Sequence, residues 1–275
     1  MGLFSDRFSA GAHRLRWLEY TQYAGRLLAG GRAPWRDTAA CIAWYRKAQG
    51  LLRSDVVTLP VDAVCDAWLE AHPLLREAMA AKARPLAPLR TLLADEGLRR
   101  HMADLAGGVR AGLPGAVLAL ACPSPRRWVG DAFRAAHRTE AEVGEDEADG
   151  ASLYIADFLR SFAGAGLDVL LLAESAATEP GDAAGIECYR SVLNVAGQYR
   201  WDAGLLVPAG RYRGGEAGLQ FVIAPGPLPG ASWGALQPAA FWDGAGMLPG
   251  PAFHYAEIPD WIEPERVLDR LARLN

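Results

Sequence analysis

The stretch Ala151–Ser175, ASLYIADFLRSFAGAGLDVLLLAES, decides the fold. Leu153, Ala156, Leu159, Phe162 and Ala163 recur at helical spacing, with Asp157 and Arg160 turned away from that stripe. Gly164 and Gly166 predict the end of the helix, because glycine accepts the left-handed conformation in which helices exit. Val169–Ala173 is apolar on both faces and only strand length, which fits a buried strand of a parallel sheet. Glu174 and Ser175 follow at once. Helix, tight turn, buried strand and polar pair make one unit of an α/β protein. In such proteins, polar residues at the carboxyl ends of strands are candidates for chemistry.

Further strand candidates lie on both sides: Val56–Val61, Pro85–Leu89, Ala116–Ala121, Gly204–Val207, Leu219–Ala224, Ala239–Trp242 and Phe253–Glu257. Helices are expected over Ala40–Leu52, Asp95–Gly112, Ile186–Gly197 and Pro264–Leu274, the last opened by a proline at its first position. Asp66–Leu75 reads as a loop or short helix, broken at His72-Pro73. Strands that alternate with helices in this way predict an α/β fold, a single (β/α)8 TIM barrel over residues 1–275. Residues 1–54 are expected to form a helical N-terminal extension packed on the barrel. Spacing shrinks after Arg200, so the C-terminal helices are expected to be shortened. Ala224–Gly234, APGPLPGASWG, reads as a loop over the mouth.

The bulk numbers agree with one large domain. The chain has 275 residues and is 51% hydrophobic, and α/β barrels reach ~250 residues undivided. A net charge of −4 gives no reason to expect a nucleic-acid partner. No run approaches the ~20 apolar residues that span a bilayer, so no membrane partner is expected. The N-terminus is too polar for a secretory signal, and a cytoplasmic location is the expectation. Cys41, Cys65, Cys122 and Cys188 form no CxxC pair and read as free thiols. The acidic run EAEVGEDEADG before Ala151 reads as a solvated loop. Neither a phosphate-cradling loop nor a dinucleotide motif occurs, and no cofactor and no metal ligands are expected. A homodimer is left open.

Several stretches resemble the uroporphyrinogen decarboxylase and cobalamin-independent methionine synthase superfamily. DVVTLPVDA, Asp55–Ala63, is similar to that family's first strand, which ends in a functional aspartate; Asp62 falls at the matching place. GAVLALACPSP resembles its third strand, FAGAGLDVLLLAES its glycine-turned helix–strand unit, and FHYAEI with EPERVLDRL its last strand and helix. The resemblance implies a single barrel and a small-molecule substrate. The chain departs from the decarboxylases in lacking a histidine loop after the last strand, where Ile258-Pro259-Asp260-Trp261 stands. It departs from the methyltransferases in having no His-x-Cys zinc pair.

The barrel mouth should collect the residues that follow each strand. Asp62 and Glu174 are candidate catalytic acids, since a carboxyl ringed by apolar groups gains the proton affinity of a general base. The alternative for Asp62 is a cap of the next helix. Glu257 ends the last strand and joins them, and His254 is a fourth candidate, although only one of His254 and Tyr255 can face the interior. For substrate binding the candidates are Arg126 and Arg211, whose forks match carboxylates, with Asp243, Trp242, Tyr255 and Ser175. The function expected is a metal-independent, decarboxylase-like lyase acting on a small anionic, cyclic or aromatic metabolite. The alternatives are an alkyl- or methyltransferase, and a barrel that binds a ligand without turning it over or serves as a partner subunit.

Overall fold

The computed structural model describes residues 4–6, 15–175, 186–209, 218–227 and 232–273. Eight strands form one parallel sheet: β1 (Leu15–Glu19), β2 (Val56–Pro60), β3 (Val117–Pro123), β4 (Val169–Ala173), β5 (Asp202–Leu206), β6 (Phe221–Ala224), β7 (Ser232–Leu236) and β8 (Phe253–Glu257). Their order around the sheet is β1-β8-β7-β6-β5-β4-β3-β2. Helices α1 (Thr21–Ala29), α2 (Thr38–Leu52), α3 (Val61–Ala71), α4 (Pro73–Ala80), α5 (Leu86–Leu93), α6 (Glu96–Gly112), α7 (Pro125–His137), α8 (Glu145–Arg160), α9 (Arg190–Gln198) and α10 (Pro264–Ala272) surround it. This is a (β/α)8 TIM barrel, and it is nearly closed.

Between β1 and β2 the ladder is replaced by side chains. The Arg16 N–H donates to Asp55 Oδ2 at 2.7 Å, and the Asp55 N–H donates back to the Arg16 carbonyl at 2.9 Å. The Leu18 N–H donates to Ser54 Oγ at 2.9 Å. Inside the barrel the Trp17 indole N–H donates to Thr58 Oγ1 at 2.8 Å. Edge amides that the ladder leaves open are thereby satisfied.

Side chains alternate between the barrel interior and the helix layer. The interior cluster includes Trp17, Val117, Leu171, Phe221, Phe253 and Tyr255. Two glycines make room for its rings. Gly204 pairs with Phe221 and Gly234 with Phe253 across neighbouring strands. A Cβ at Gly204 would lie 2.0 Å from the Phe221 ring, and one at Gly234 would lie 2.3 Å from the Phe253 ring. Phe4 plugs the amino-terminal end, edge-on to Trp17, Phe221 and Phe253 at 5.5, 5.0 and 5.1 Å. The Ser5 N–H is tied to Asp202 Oδ2 at 2.9 Å.

The structure corrects several expectations. Residues 1–54 are not a purely helical extension, because Leu15–Glu19 is a barrel strand. Leu15 and Leu18 do fit a helical stripe, but Leu15 and Trp17 pack inward while Leu18 packs outward. Pro85–Leu89 is no strand: it opens α5, which buries Pro88, Leu89, Leu92 and Leu93 at helical spacing. Ala239–Phe241 is a 3-10 turn, and the seventh strand lies earlier, at Ser232–Leu236, beginning within the expected loop and running past its end. The end of the acidic run is the first turn of α8, where Glu145, Asp146 and Glu147 sit favourably at a helix N-terminus. His72-Pro73 does break the chain between α3 and α4. Among the described residues no α-helix separates β5, β6, β7 and β8, as the shortened spacing predicts.

Gly234→Ala should destabilise the fold by about 1–3 kcal/mol, because the added methyl must displace the buried Phe253 ring. The measurement is the urea midpoint. A midpoint equal to the wild type's would show that the ring has room to move and that the interlock is not needed.

Candidate functional site

Because the strands are parallel, their carboxyl ends share one rim. On β1 and β8 the inward positions pair in three layers: Leu15 with Phe253, Trp17 with Tyr255, and Glu19 with Glu257. Neighbouring strands lie ~4.8 Å apart, so two glutamates stand side by side at the mouth. Beneath them Trp17 and Tyr255 meet edge-on at 5.6 Å. Like charges paired across a sheet oppose folding. Among the described residues neither glutamate has a basic hydrogen-bond partner. Glu19 is bonded only by Thr21, through its N–H at 2.9 Å and its side-chain hydroxyl, and the Glu257 carboxylate accepts from no described residue.

Asp62 sits in the first turn of α3, directly after β2. Its Oδ1 accepts the Ala63 N–H at 2.9 Å, and its Oδ2 accepts Arg127 Nη2 at 3.2 Å. Arg127 also donates through Nε to Asp131 Oδ2 at 3.1 Å. Helix α7 holds Arg127 in place. Pro125 sets the first helical position, and Ser124 caps it by accepting the Arg127 N–H at 3.3 Å. A cleft of about 500 Å³ beside this ion pair is lined by Asp62, Cys65, Asp66, Arg127 and Asp131. A wider one of about 870 Å³ runs outward past Asp66 to Arg32, Arg36 and Arg76.

Burial in the mouth shifts the acids upward. The Glu19 carboxyl is pushed up to about 7, first by desolvation and then by the charges of Glu257 and Asp62, against the Thr21 hydrogen bonds. Glu257 is raised by desolvation, with Arg127 opposing. Asp62 is raised by desolvation more than Arg127 lowers it, and Asp131 adds to the rise. The concave mouth supplies this desolvation without enclosing the group, since 41% of the Asp62 side chain stays open to solvent. The Tyr255 hydroxyl is raised well above its ordinary value by burial and by Glu19, Glu257 and Asp62.

Glu174 stands on the same rim as Asp62 but in another group. Its Oε2 accepts the Ser124 hydroxyl at 2.8 Å and its Oε1 the Tyr189 hydroxyl at 2.5 Å. Ser175 follows it at the end of β4. The Arg126 charge acts on Tyr189, and its buried Nε has no partner. Arg126 and Arg127 thus serve opposite sides: Arg127 reaches Asp62, while Arg126 faces the Tyr189 side.

Three candidates lie away from the mouth. His254 is only 1% exposed and occupies the outward parity of β8, with Nδ1 3.0 Å from Gln237 Nε2; the inward residue is Tyr255. The catalytic role expected of His254 is therefore not supported by its position. Trp242 is likewise 1% exposed and packs behind the rim, its indole N–H bonded to the Glu257 carbonyl at 2.7 Å. Asp243 pairs with Arg266 at the surface, at 3.3 Å. Arg211 lies outside the described residues. Sequence reasoning missed Glu19, and of the adjacent Arg126 and Arg127 after the third strand it chose Arg126. The signal for Glu19 was there: Leu15-x-Trp17-x-Glu19 has the same pattern as Phe253-x-Tyr255-x-Glu257.

Cys41, Cys65 and Cys122 are buried thiols, each raised first by desolvation. Among the described residues no three His, Cys, Asp or Glu side chains converge as a metal-binding group. No described helix is long and apolar enough to cross a membrane.

No family model matches the chain, and no curated protein does. Among solved structures it is similar to a variant of the carboxyl transferase domain of Rhizobium etli pyruvate carboxylase with pyruvate. Identity there is 11% and the TM-score 0.49, over 100% of this chain and 50% of that one. A Rhizobium etli pyruvate carboxylase structure with the allosteric activator acetyl coenzyme-A gives 12% identity and a TM-score of 0.41, over 82% of this chain and 18% of that one. The chain thus spans half the length of the first and under a fifth of the second. Likenesses at this level add nothing to the barrel read from the strand order.

Glu19→Gln should stabilise the protein at pH 8 by about 1–3 kcal/mol, the partial exposure of the side chain keeping the gain below full conversion of the shift. The folded state holds the Glu19 proton to higher pH than the unfolded chain does. What Glu19 contributes is therefore present below the unfolded carboxylate range, near 4.5, and lost as pH rises through about 7. Urea midpoints of both proteins at pH 4, 6 and 8 check this. A difference that does not grow with pH rules out the shift.

Proposed function

We propose that this barrel is a small-molecule enzyme of the proton-transfer type, a lyase whose chemistry is carried by the Glu19–Glu257 pair. The observation that carries the reading is their register: two inward carboxyls from neighbouring strand ends, without a basic hydrogen-bond partner among the described residues, over a buried tyrosine. Carboxyls that interact so closely titrate as a unit. Glu19, pushed up to about 7, exchanges its proton near neutral pH, so it can serve as acid or base where an enzyme works. Arg127, held by Asp62 and Asp131, contributes its charge to the rim without leaving those two partners.

In a decarboxylase-like lyase the bond from carbon to a leaving carboxylate breaks, carbon dioxide departs, and the electron pair left on carbon takes the proton of the pair. Asp62 at the end of β2 supports this reading through the likeness to the uroporphyrinogen decarboxylase and cobalamin-independent methionine synthase superfamily. In this proposal Glu174 is a positioning residue. Its bonds to Ser124 and Tyr189 hold the start of α7, and so Arg127, against the segment that follows β4.

The test is incubation of the protein with a small-metabolite extract, followed by mass spectrometry of what is consumed and formed, with and without a chelator. Wild-type protein should deplete a metabolite in either condition. Glu19→Gln and Glu257→Gln should each slow that depletion by about 10²–10⁴-fold, with the fold retained by circular dichroism. Undiminished turnover in both variants defeats the proposal. A metabolite that is retained by the protein but never converted points instead to a ligand-binding barrel.

A further inference from the structure

We infer that the ligand of the mouth carries a protonated nitrogen, seated between the Glu19 and Glu257 carboxylates above the Tyr255 hydroxyl. The inference rests on the proposed reading of the mouth as the site, and it adds the chemical class of the substrate.

Three observations point the same way. Glu19 and Glu257 are register partners with inward parity, and no described Lys or Arg is hydrogen-bonded to either. Arg127, whose charge acts on Glu257, is already committed through Nη2 to Asp62 and through Nε to Asp131. Directly below, Tyr255 is only 3% exposed, and its hydroxyl has no hydrogen-bond partner among the described residues, yet it lies in the field of Glu19, Glu257 and Asp62. Two acceptors that no described Lys or Arg bonds, and a hydroxyl at the open end of a buried ring that bonds to no described residue, are the complement of a cationic N–H donor.

An ammonium or guanidinium group meets each need. Its N–H bonds go to the two carboxylates, where charge assistance makes them strong, and a further donor reaches the tyrosine oxygen. Its charge replaces the missing counterion, so both glutamates can ionise together. Among the described charges, an anion at the same place would face Glu19, Glu257 and Asp62 with Arg127 alone in its favour. A substrate that also has a carboxylate to lose, as a decarboxylase-like lyase requires, would therefore be an amino-acid-like zwitterion or a carboxylated basic heterocycle.

The inference fixes a pH dependence. The groups that face Glu19 are Glu257 and Tyr255 from β8, Asp62 from the start of α3, Tyr20 next to it, and Tyr45 from α2, with Arg127 reaching in from α7. In the free protein Glu19 holds its proton up to about 7. A bound cation favours the ionised form, so the proton leaves as the cation binds, and affinity rises with pH until Glu19 is already ionised. For a midpoint near 7 the cation should bind about tenfold tighter at pH 8 than at pH 6.

Methylguanidine is a suitable probe, because it stays charged across that range, and N-methylurea is its neutral near-isostere. Binding is followed by NMR titration of the whole chain at pH 6 and pH 8. Methylguanidine should bind in preference to N-methylurea and to acetate, with the tenfold pH effect. In Glu19→Gln and in Glu257→Gln the binding should weaken and the pH effect flatten, while both variants keep their fold, since each removes one of two like charges. No preference for the cation overturns the inference, as does a preference that neither variant changes. Turnover of a metabolite without any cation preference removes this inference and leaves the enzyme standing. Cation binding with no turnover of any metabolite removes the enzyme and leaves the site.

Discussion

The arrangement at the mouth depends on how the barrel closes between β1 and β2. Seven of the eight contacts around the sheet are backbone ladders. The eighth is made by Asp55, Ser54 and the Trp17–Thr58 bond. Each gives an edge amide or an indole N–H the acceptor that a neighbouring strand would otherwise provide. Only with that seam shut does the end of β2 stand beside the end of β1. Asp62 then enters the field of Glu19, which the ladder to β8 has already set next to Glu257.

Trp17 connects the levels of this structure. Its ring belongs to the aromatic layer with Phe4, Phe221, Phe253 and Tyr255, and its N–H belongs to the seam. Aromatic burial on this scale contributes about 2–3 kcal/mol per ring. A like-charge pair in a partly dry mouth opposes folding by an amount of the same order. The floor can therefore carry the strain of the rim. The two interior glycines serve the same end, since Gly204 and Gly234 let Phe221 and Phe253 reach the axis where a side chain of their own would block it.

The barrel was legible because its central strands are apolar on both faces: Val117–Leu120 and Val169–Ala173 cannot be surface strands, and the helices between them keep a clean stripe. The two strands that escaped are those whose composition bends to a neighbour's need. β7 carries Gly234 for the Phe253 ring and so reads as a turn. β1 has Leu15 and Leu18 on opposite faces, which mimics helical spacing. Losing β1 meant losing Glu19. Asp62 and Glu257 could be found, because each follows a recognisable strand. Which of Arg126 and Arg127 meets Asp62 could not, since adjacent residues on a first helical turn diverge in direction, and only the cap at Ser124 fixes the phase. Trp242 and Asp243 were beyond reach for a similar reason: the 3-10 turn that holds them turns one inward to the Glu257 carbonyl and leaves the other at the surface.

The two carboxylate groups on the rim differ in what the fold leaves undone. Both oxygens of Glu174 are met by neutral hydroxyls, from Ser124 and Tyr189, so its geometry is fixed and its charge is solvated by the protein itself. A carboxylate so satisfied ties elements together and has little to gain from a ligand. Glu19 and Glu257 have the opposite surroundings. They share a register, are bonded among the described residues by Thr21 alone, and stand over the Tyr255 ring. Folding alone does not account for such a pair, because replacing either carboxyl by an amide would ease the repulsion. Among the described residues nothing offsets this cost, and a ligand of opposite charge would. That is why the chemistry is assigned to the β1–β8 side of the mouth rather than to the better-bonded acid across it.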